Sequence, residues 1–246
     1  METLISHVSP KSPISEAYRT LRTNIQFSNL DSDLKTITFT STMAGEGKTT
    51  TISNVAIVSA KSGKKVLLID ADMRKPNIHK VFKKTNSKGL SDAVLSDQAP
   101  DHFVIKSQES GLDLMLSGPI PPNPSEILGS KRMRAMIEKL KENYDLILID
   151  APPVGIVTDA QILASFVDGT IMVLRVGHGD HKQASYAVEL LKNVNANLLG
   201  VVLNRLPVGE GSYSRYKYAA YYGGTYGEET QPQKKGLLDK LMRKKR

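Results

Sequence analysis

Six short apolar runs recur between residues 35 and 206: 36–40 (TITFT), 66–69 (VLLI), 112–116, 146–149 (LILI), 170–176 and 198–203 (LLGVVL). Helical stretches lie between them, around 49–62, 131–142, 159–166 and 181–193. Runs this continuously apolar are strands with both faces covered, and strands alternating with helices predict an α/β fold with a mostly parallel sheet. Right-handed crossovers follow. Three zones result: a lead-in over 1–34, a central domain over 35–206 and a tail over 207–246.

The lead-in carries one predicted helix. Ser12 is its N-cap, Pro13 its first position, and Glu16 sits in its first turn. Ile14, Ala17, Leu21 and Ile25 keep helical spacing and are expected to face the body. Glu16, Arg19 and Arg22 are expected together on another side; on their own they read as a solvated face. The tail has few apolar residues before its end and reads as mobile. Leu237, Leu238, Leu241 and Met242 would line one side of a short basic helix, where a solvated end is preferred to an anionic-lipid contact.

Composition narrows the picture. The 246 residues, 40% of them hydrophobic, suffice for one sizeable core. There is no cysteine, which excludes disulfides, thiolate nucleophiles and cysteine metal sites and agrees with a cytoplasmic address. The N-terminal METLISHVSPKSP lacks the apolar run of a signal peptide, and nowhere do eighteen apolar residues follow one another. Of the net charge of +8, residues 234–246 carry +6, from seven Lys/Arg against Asp239. A weakly charged body with a basic end is not the charge pattern of a nucleic-acid-binding face.

The chemistry begins after the first run, with Ser41-Thr42-Met43-Ala44-Gly45-Glu46-Gly47-Lys48-Thr49-Thr50 leading into a helix. A GKT at a strand-to-helix turn is the core of a nucleotide phosphate loop. Gly45, Glu46 and Gly47 wrap phosphates with backbone N–H groups, Lys48 reaches the β/γ-phosphates, and the Thr49 hydroxyl binds Mg²⁺ with Thr50 beside it. Thr42 replaces the first glycine of the usual pattern. Two later runs end in carboxylates, VLLIDAD in Asp70 and Asp72 and LILID in Asp150. Ligands of parallel sheets sit at that edge, so the three are expected to converge on the metal and the γ-phosphate, as ligands or as a general base.

These motifs, taken with Glu16-x-x-Arg19-x-x-Arg22, Asp70-Ala-Asp72-Met-Arg74-Lys-Pro76, GPIPPNPSEIL (residues 118–128) and the terminal tyrosines, resemble the cytoplasmic catalytic domain of the bacterial tyrosine kinases of capsule and exopolysaccharide synthesis. The resemblance implies a P-loop fold related to the Min/Par ATPases. It further implies that ATP and Mg²⁺ are held by Lys48 and Thr49, that Asp70 is the base, and that Asp72 and Asp150 serve the metal. Glu16, Arg19 and Arg22 would mediate ring contacts between subunits, and Asn204 would contact adenine. It also implies a separate transmembrane activator that recruits the chain to the inner face of the membrane. Tyrosine-bearing proteins, sugar-nucleotide enzymes of polymer synthesis among them, would be further substrates.

Six of the nine tyrosines, Tyr213, Tyr216, Tyr218, Tyr221, Tyr222 and Tyr226, fall in fifteen residues. They are the expected phosphoacceptors, phosphorylated in trans. Sixteen residues from Arg205 to Tyr221 reach roughly 20–25 Å as a flexible coil. Tyr18, Tyr144 and Tyr186 read as packing or surface residues. The rival reading is a Min/Par-like ATPase acting as a positional switch. Many such ATPases carry a second lysine early in the loop, and here that place holds Met43.

Overall fold

Seven strands order the molecule. In the computed structural model, which describes residues 4–28 and 34–206, they are β1 (Thr36–Ser41), β2 (Val66–Asp70), β3 (Ile105–Lys106), β4 (Leu112–Met115), β5 (Leu146–Asp150), β6 (Gly169–Arg175) and β7 (Leu198–Asn204). Their order across the sheet is β3-β4-β2-β5-β1-β6-β7. Every pairing is parallel except that of β3 with β4. The six expected strands are all present, and the two-residue β3 is the addition. A division by contacts falls between Leu206 and Pro207; only the first unit is described, so the six tail tyrosines lie outside the described residues.

Side-chain alternation explains why the runs are apolar throughout. Leu67, Ile69, Ile147 and Ile149 point into one core, with Met133, Ile137 and Leu140 of α7 (Lys131–Lys141) and Leu163 of α8 (Asp159–Ala164). Val66, Leu68, Leu146, Leu148, Ile37 and Phe39 point into the other, against α3 (Lys48–Lys61). With helices over both faces, neither side of a central strand meets water. β1 is the exception in chemistry: its alternate residues Thr38 and Thr40 are fully buried and donate to the carbonyls of Ile149 (3.2 Å) and Pro152 (2.8 Å).

α3 has no polar stripe because it is covered all round: Thr51 to Ala60 are all buried. The sheet covers one side, and the N-terminal helices α1 (Ile5–Val8) and α2 (Pro13–Phe27) cover the other. Asn54 of α3 accepts from the Ser6 N–H at 2.9 Å, and Lys61 donates to the Ser6 carbonyl at 2.8 Å. The lead-in thus packs directly on the helix that begins at the phosphate loop.

The Ser12 cap of α2 forms as expected, accepting from the Ser15 N–H at 3.2 Å, but the inward face is rotated. Ile14 is 55% exposed; Ser15 and Ile25 are buried, with Tyr18 and Leu21 packed against the core. The reason is local: the Ser15 hydroxyl reaches the Ser9 (2.7 Å) and Ile5 (3.2 Å) carbonyls, which turns Ser15 rather than Ile14 toward α1. The expected trio also separates. Arg19 binds Glu16 at 2.7 Å, whereas Arg22 lines a small cavity beside Ile25, Val55 and Leu148. At ~100° per residue, six positions carry Arg22 about 120° away from Glu16.

At the opposite sheet edge, Asp168 accepts from the Thr36 N–H (2.7 Å), the Thr36 hydroxyl (2.8 Å) and the Lys35 N–H (3.0 Å). Burial raises its pKa, but the two Thr36 bonds and Lys141 outweigh that and hold it below the ordinary carboxylate value. Its contribution is present above the unfolded pKa and is lost as pH falls through the lower folded value. Asp168→Ala is expected to cost about 1–3 kcal/mol near neutrality. Urea titrations should show a lower midpoint at unchanged slope, and the deficit should shrink in acid.

Candidate nucleotide and phosphoryl-transfer site

The loop between β1 and α3 is shaped by two left-handed glycines, Gly45 (φ 83°) and Gly47 (φ 90°). At Gly47 a side chain is excluded twice, because a Cβ would also lie 2.0 Å from the Asn204 amide nitrogen. That amide, at the end of β7, donates to the Glu46 carbonyl at 2.9 Å. The Glu46 carboxylate folds back on the loop, accepting from the N–H of Met43 (2.8 Å) and of Arg175 (3.4 Å). The Asn204 amide and the Glu46 carboxylate thus brace the loop's shape, and Glu46 also lines the cleft. Gly45, Gly47, Lys48, Thr49 and Thr50 line an open cleft of about 790 Å³, a size suited to a cofactor-scale ligand.

Sheet register brings the carboxylates together. Asp70 and Asp150 are direct cross-strand partners at the ends of β2 and β5. The Lys48 ammonium, itself buried, pairs with Asp150 and lies 3.9 Å from Asp72, while the Thr49 hydroxyl donates to Asp150 at 2.7 Å. Asp70 is fully buried; it accepts from the N–H groups of Asn77 (3.0 Å) and Ile78 (2.9 Å). Burial first, and then the Asp150 charge, push its pKa up to about 7. Burial likewise raises that of Asp72, the carboxylate that faces the cleft.

One network carried no sequence signal. Asp159, fully buried at the start of α8, accepts from Arg74 Nε (2.9 Å) and Nη2 (3.0 Å) and from the Ser125 hydroxyl (2.7 Å). It ties the segment after β2 to α6 (Pro124–Gly129) and α8. The two motifs DADMRKP and PPNPSEIL, far apart in sequence, meet through this one carboxylate.

The donor set fits a nucleoside triphosphate with Mg²⁺. Among the described residues no group of three His, Cys, Asp or Glu is disposed to hold a metal. Mg²⁺ keeps several waters and takes one or two carboxylates plus phosphate oxygens. Thr49, Asp150 and Asp72 are the residues that would hold it, and it would supply positive charge beside the phosphates.

Comparison with known proteins places this geometry. A family model described as an AAA domain matches residues 34–197. The tyrosine-protein kinase YwqD of Bacillus subtilis is 42% identical over 220 residues, which are 89% of this chain and 91% of the relative. The chain belongs to the bacterial tyrosine-protein kinase family. A putative member from Staphylococcus aureus, CapB, is 36% identical over 89% of this chain and 95% of its own length. The crystal structure of the chimerical protein CapA2B2 superposes with a TM-score of 0.81 at 40% identity, covering 84% of this chain and 91% of that one. The fold of this kinase family is the mostly parallel, helix-covered sheet described above.

Asp70 has an acid–base consequence. Its folded pKa of about 7 lies above the ordinary 3.8, so between those values the folded chain keeps a proton that the unfolded chain has released. The associated stability is complete below the lower value and is lost as pH rises through the higher one. In chelator, Asp70→Asn should melt at least ~2 °C above wild type at pH 8. The gap should close as pH falls toward 4, as followed by circular dichroism.

Proposed function

We propose that this chain transfers the γ-phosphoryl group of ATP to C-terminal tyrosines of a sister copy and thereby regulates capsule or exopolysaccharide synthesis. The observation that carries the reading is the buried Lys48 held between Asp150 and Asp72 beside an open cleft, in a tyrosine-kinase family member whose tail concentrates six phenols. In the transfer, the bond from the γ-phosphorus to the bridging oxygen breaks and one to the phenol oxygen forms. ADP leaves and the phenol proton goes to a carboxylate. Lys48 and the loop N–H groups offset charge on the phosphoryl oxygens.

A phenol of pKa near 10 gains from a base titrating close to working pH. Asp70 is the candidate, and its pKa near 7 supports that role. Asp70 is fully buried, so the phenol reaches it only when the site rearranges, and apo active-site hydrogen bonds commonly tighten or rearrange on binding. The switch-ATPase alternative loses support from Met43, which stands where a second loop lysine would act across a dimer.

Partners follow from the same reading. Among the described residues no helix is long and apolar enough to cross a membrane, and we propose that a separate transmembrane activator brings the chain to the inner membrane face. Glu16 and Arg19, paired on the outer side of α2, and Arg22 at its inner side are the proposed ring contacts. Tyrosine-bearing enzymes of polymer synthesis are proposed further substrates.

Phosphosite mapping after incubation with ATP, with the activator present, should find label on the tail tyrosines of wild type. Lys48→Ala should lower it by at least ~100-fold. With Asp70 as base, labelling should rise with pH through about 7, and Asp70→Ala should lose that rise. A Lys48→Ala chain with its tail, mixed with an active chain lacking one, should become labelled. ATP consumption with every tail tyrosine unmodified would refute the reading. Four phosphates add roughly −6 to −8 near a +6 tail, so light scattering should show smaller assemblies after labelling.

A further inference from the structure

Beyond the phosphate loop, the cleft has a second, cationic wall. Arg74, Lys75 and Lys80 line it, on the segment that follows β2. Arg74 is held from behind: Asp159 takes Nε and Nη2, and Ser125 accepts from Nη2 at 2.9 Å. No bond of Nη1 is made among the described residues, so one edge of a fixed guanidinium on a 40% exposed side chain stays open. The Lys75 and Lys80 ammonium groups are likewise without an ion pair among the described residues. Beside them, Ile120 and Ile156 are 64% and 61% exposed at the cleft.

A fixed guanidinium edge with two ammonium groups suits a phosphate dianion. Exposed isoleucines next to it suit a flat apolar ring. An aryl phosphate has both parts, whereas the triphosphate of ATP is already served by the loop and Lys48. Spacing agrees as well. Arg74 follows Asp70 by four residues, a span of at most about 14 Å, and tail tyrosines two or three residues apart span about 7–11 Å when extended.

We infer that Arg74, Lys75 and Lys80 form a subsite for a phosphotyrosine of a sister chain's tail, which presents the neighbouring tyrosine for transfer. The inference rests on the kinase reading. The first phosphate on a tail is therefore added slowly and the second faster, before the charge of several phosphates exceeds what three cations offset and loosens the assembly; the clustering of six phenols thereby gains a kinetic purpose. Asp159 and Ser125 act as positioning residues, setting the direction of the open guanidinium edge.

The test uses a full-length chain whose six tail tyrosines are phenylalanine, so that only an added peptide reports. Peptides of residues 212–228, plain or phosphorylated at Tyr216, are compared in Mg-ADP by fluorescence anisotropy and, with ATP and the activator present, for labelling rate. The phosphorylated peptide should bind about tenfold tighter and be labelled at its remaining tyrosines with about tenfold higher kcat/KM. In Arg74→Lys, which leaves Asp159 a cation, and in Lys75→Ala/Lys80→Ala, both exposed, the preference should fall below about threefold. Equal affinities in the unmutated cleft overturn the inference, as does a preference that survives in the variants. Loss of Mg-ADP affinity by the same factor also overturns it, since the cations would then serve the nucleotide. Tighter binding of the phosphorylated peptide with neither peptide labelled would uphold the subsite and sink the kinase reading instead.

Discussion

Two carboxyl groups at the ends of adjacent parallel strands, Asp70 and Asp150, share a buried space with one ammonium, that of Lys48. Charge balance there constrains everything else. With Lys48 committed to Asp150, Asp70 remains protonated up to near neutrality. A negative substrate drawing on Lys48 leaves Asp150 short of a partner, a deficit that a divalent cation corrects. The strand register, the loop and the metal requirement are one electrostatic arrangement.

That arrangement is held at its edges by groups that do no chemistry. Asn204 at the end of β7 and the loop's own Glu46 carboxylate fix the loop's shape, and Asp159 fixes Arg74. α1 is tied to α3, whose first residue is Lys48, through Asn54 and Lys61, and Ser15 ties α2 to α1. Assembly contacts at α2 would therefore bear on the same helix that carries the phosphate-binding lysine.

Most of the frame was legible in the sequence because it rests on short-range rules. Doubly buried strands must be apolar throughout, and the GKT turn and the Ser12-Pro13 cap are local codes. What escaped was set by tertiary context. Ile14 fits the helical stripe, yet the Ser15 hydroxyl found carbonyls on α1 and turned the helix. Arg22 parted from Glu16 by simple helical rotation. Glu46 and Asn204 sit where nucleotide ligands are expected, but which way their side chains turn depends on the ends of β6 and β7. Asp159 carried no local signal, since its partners Arg74 and Ser125 lie 85 and 34 residues away.

The place where the described chain leaves the sheet has a mechanical meaning. Leu206 stands two residues beyond Asn204, the amide wedged against Gly47. Any displacement of the end of β7 therefore reaches the nucleotide loop through that amide.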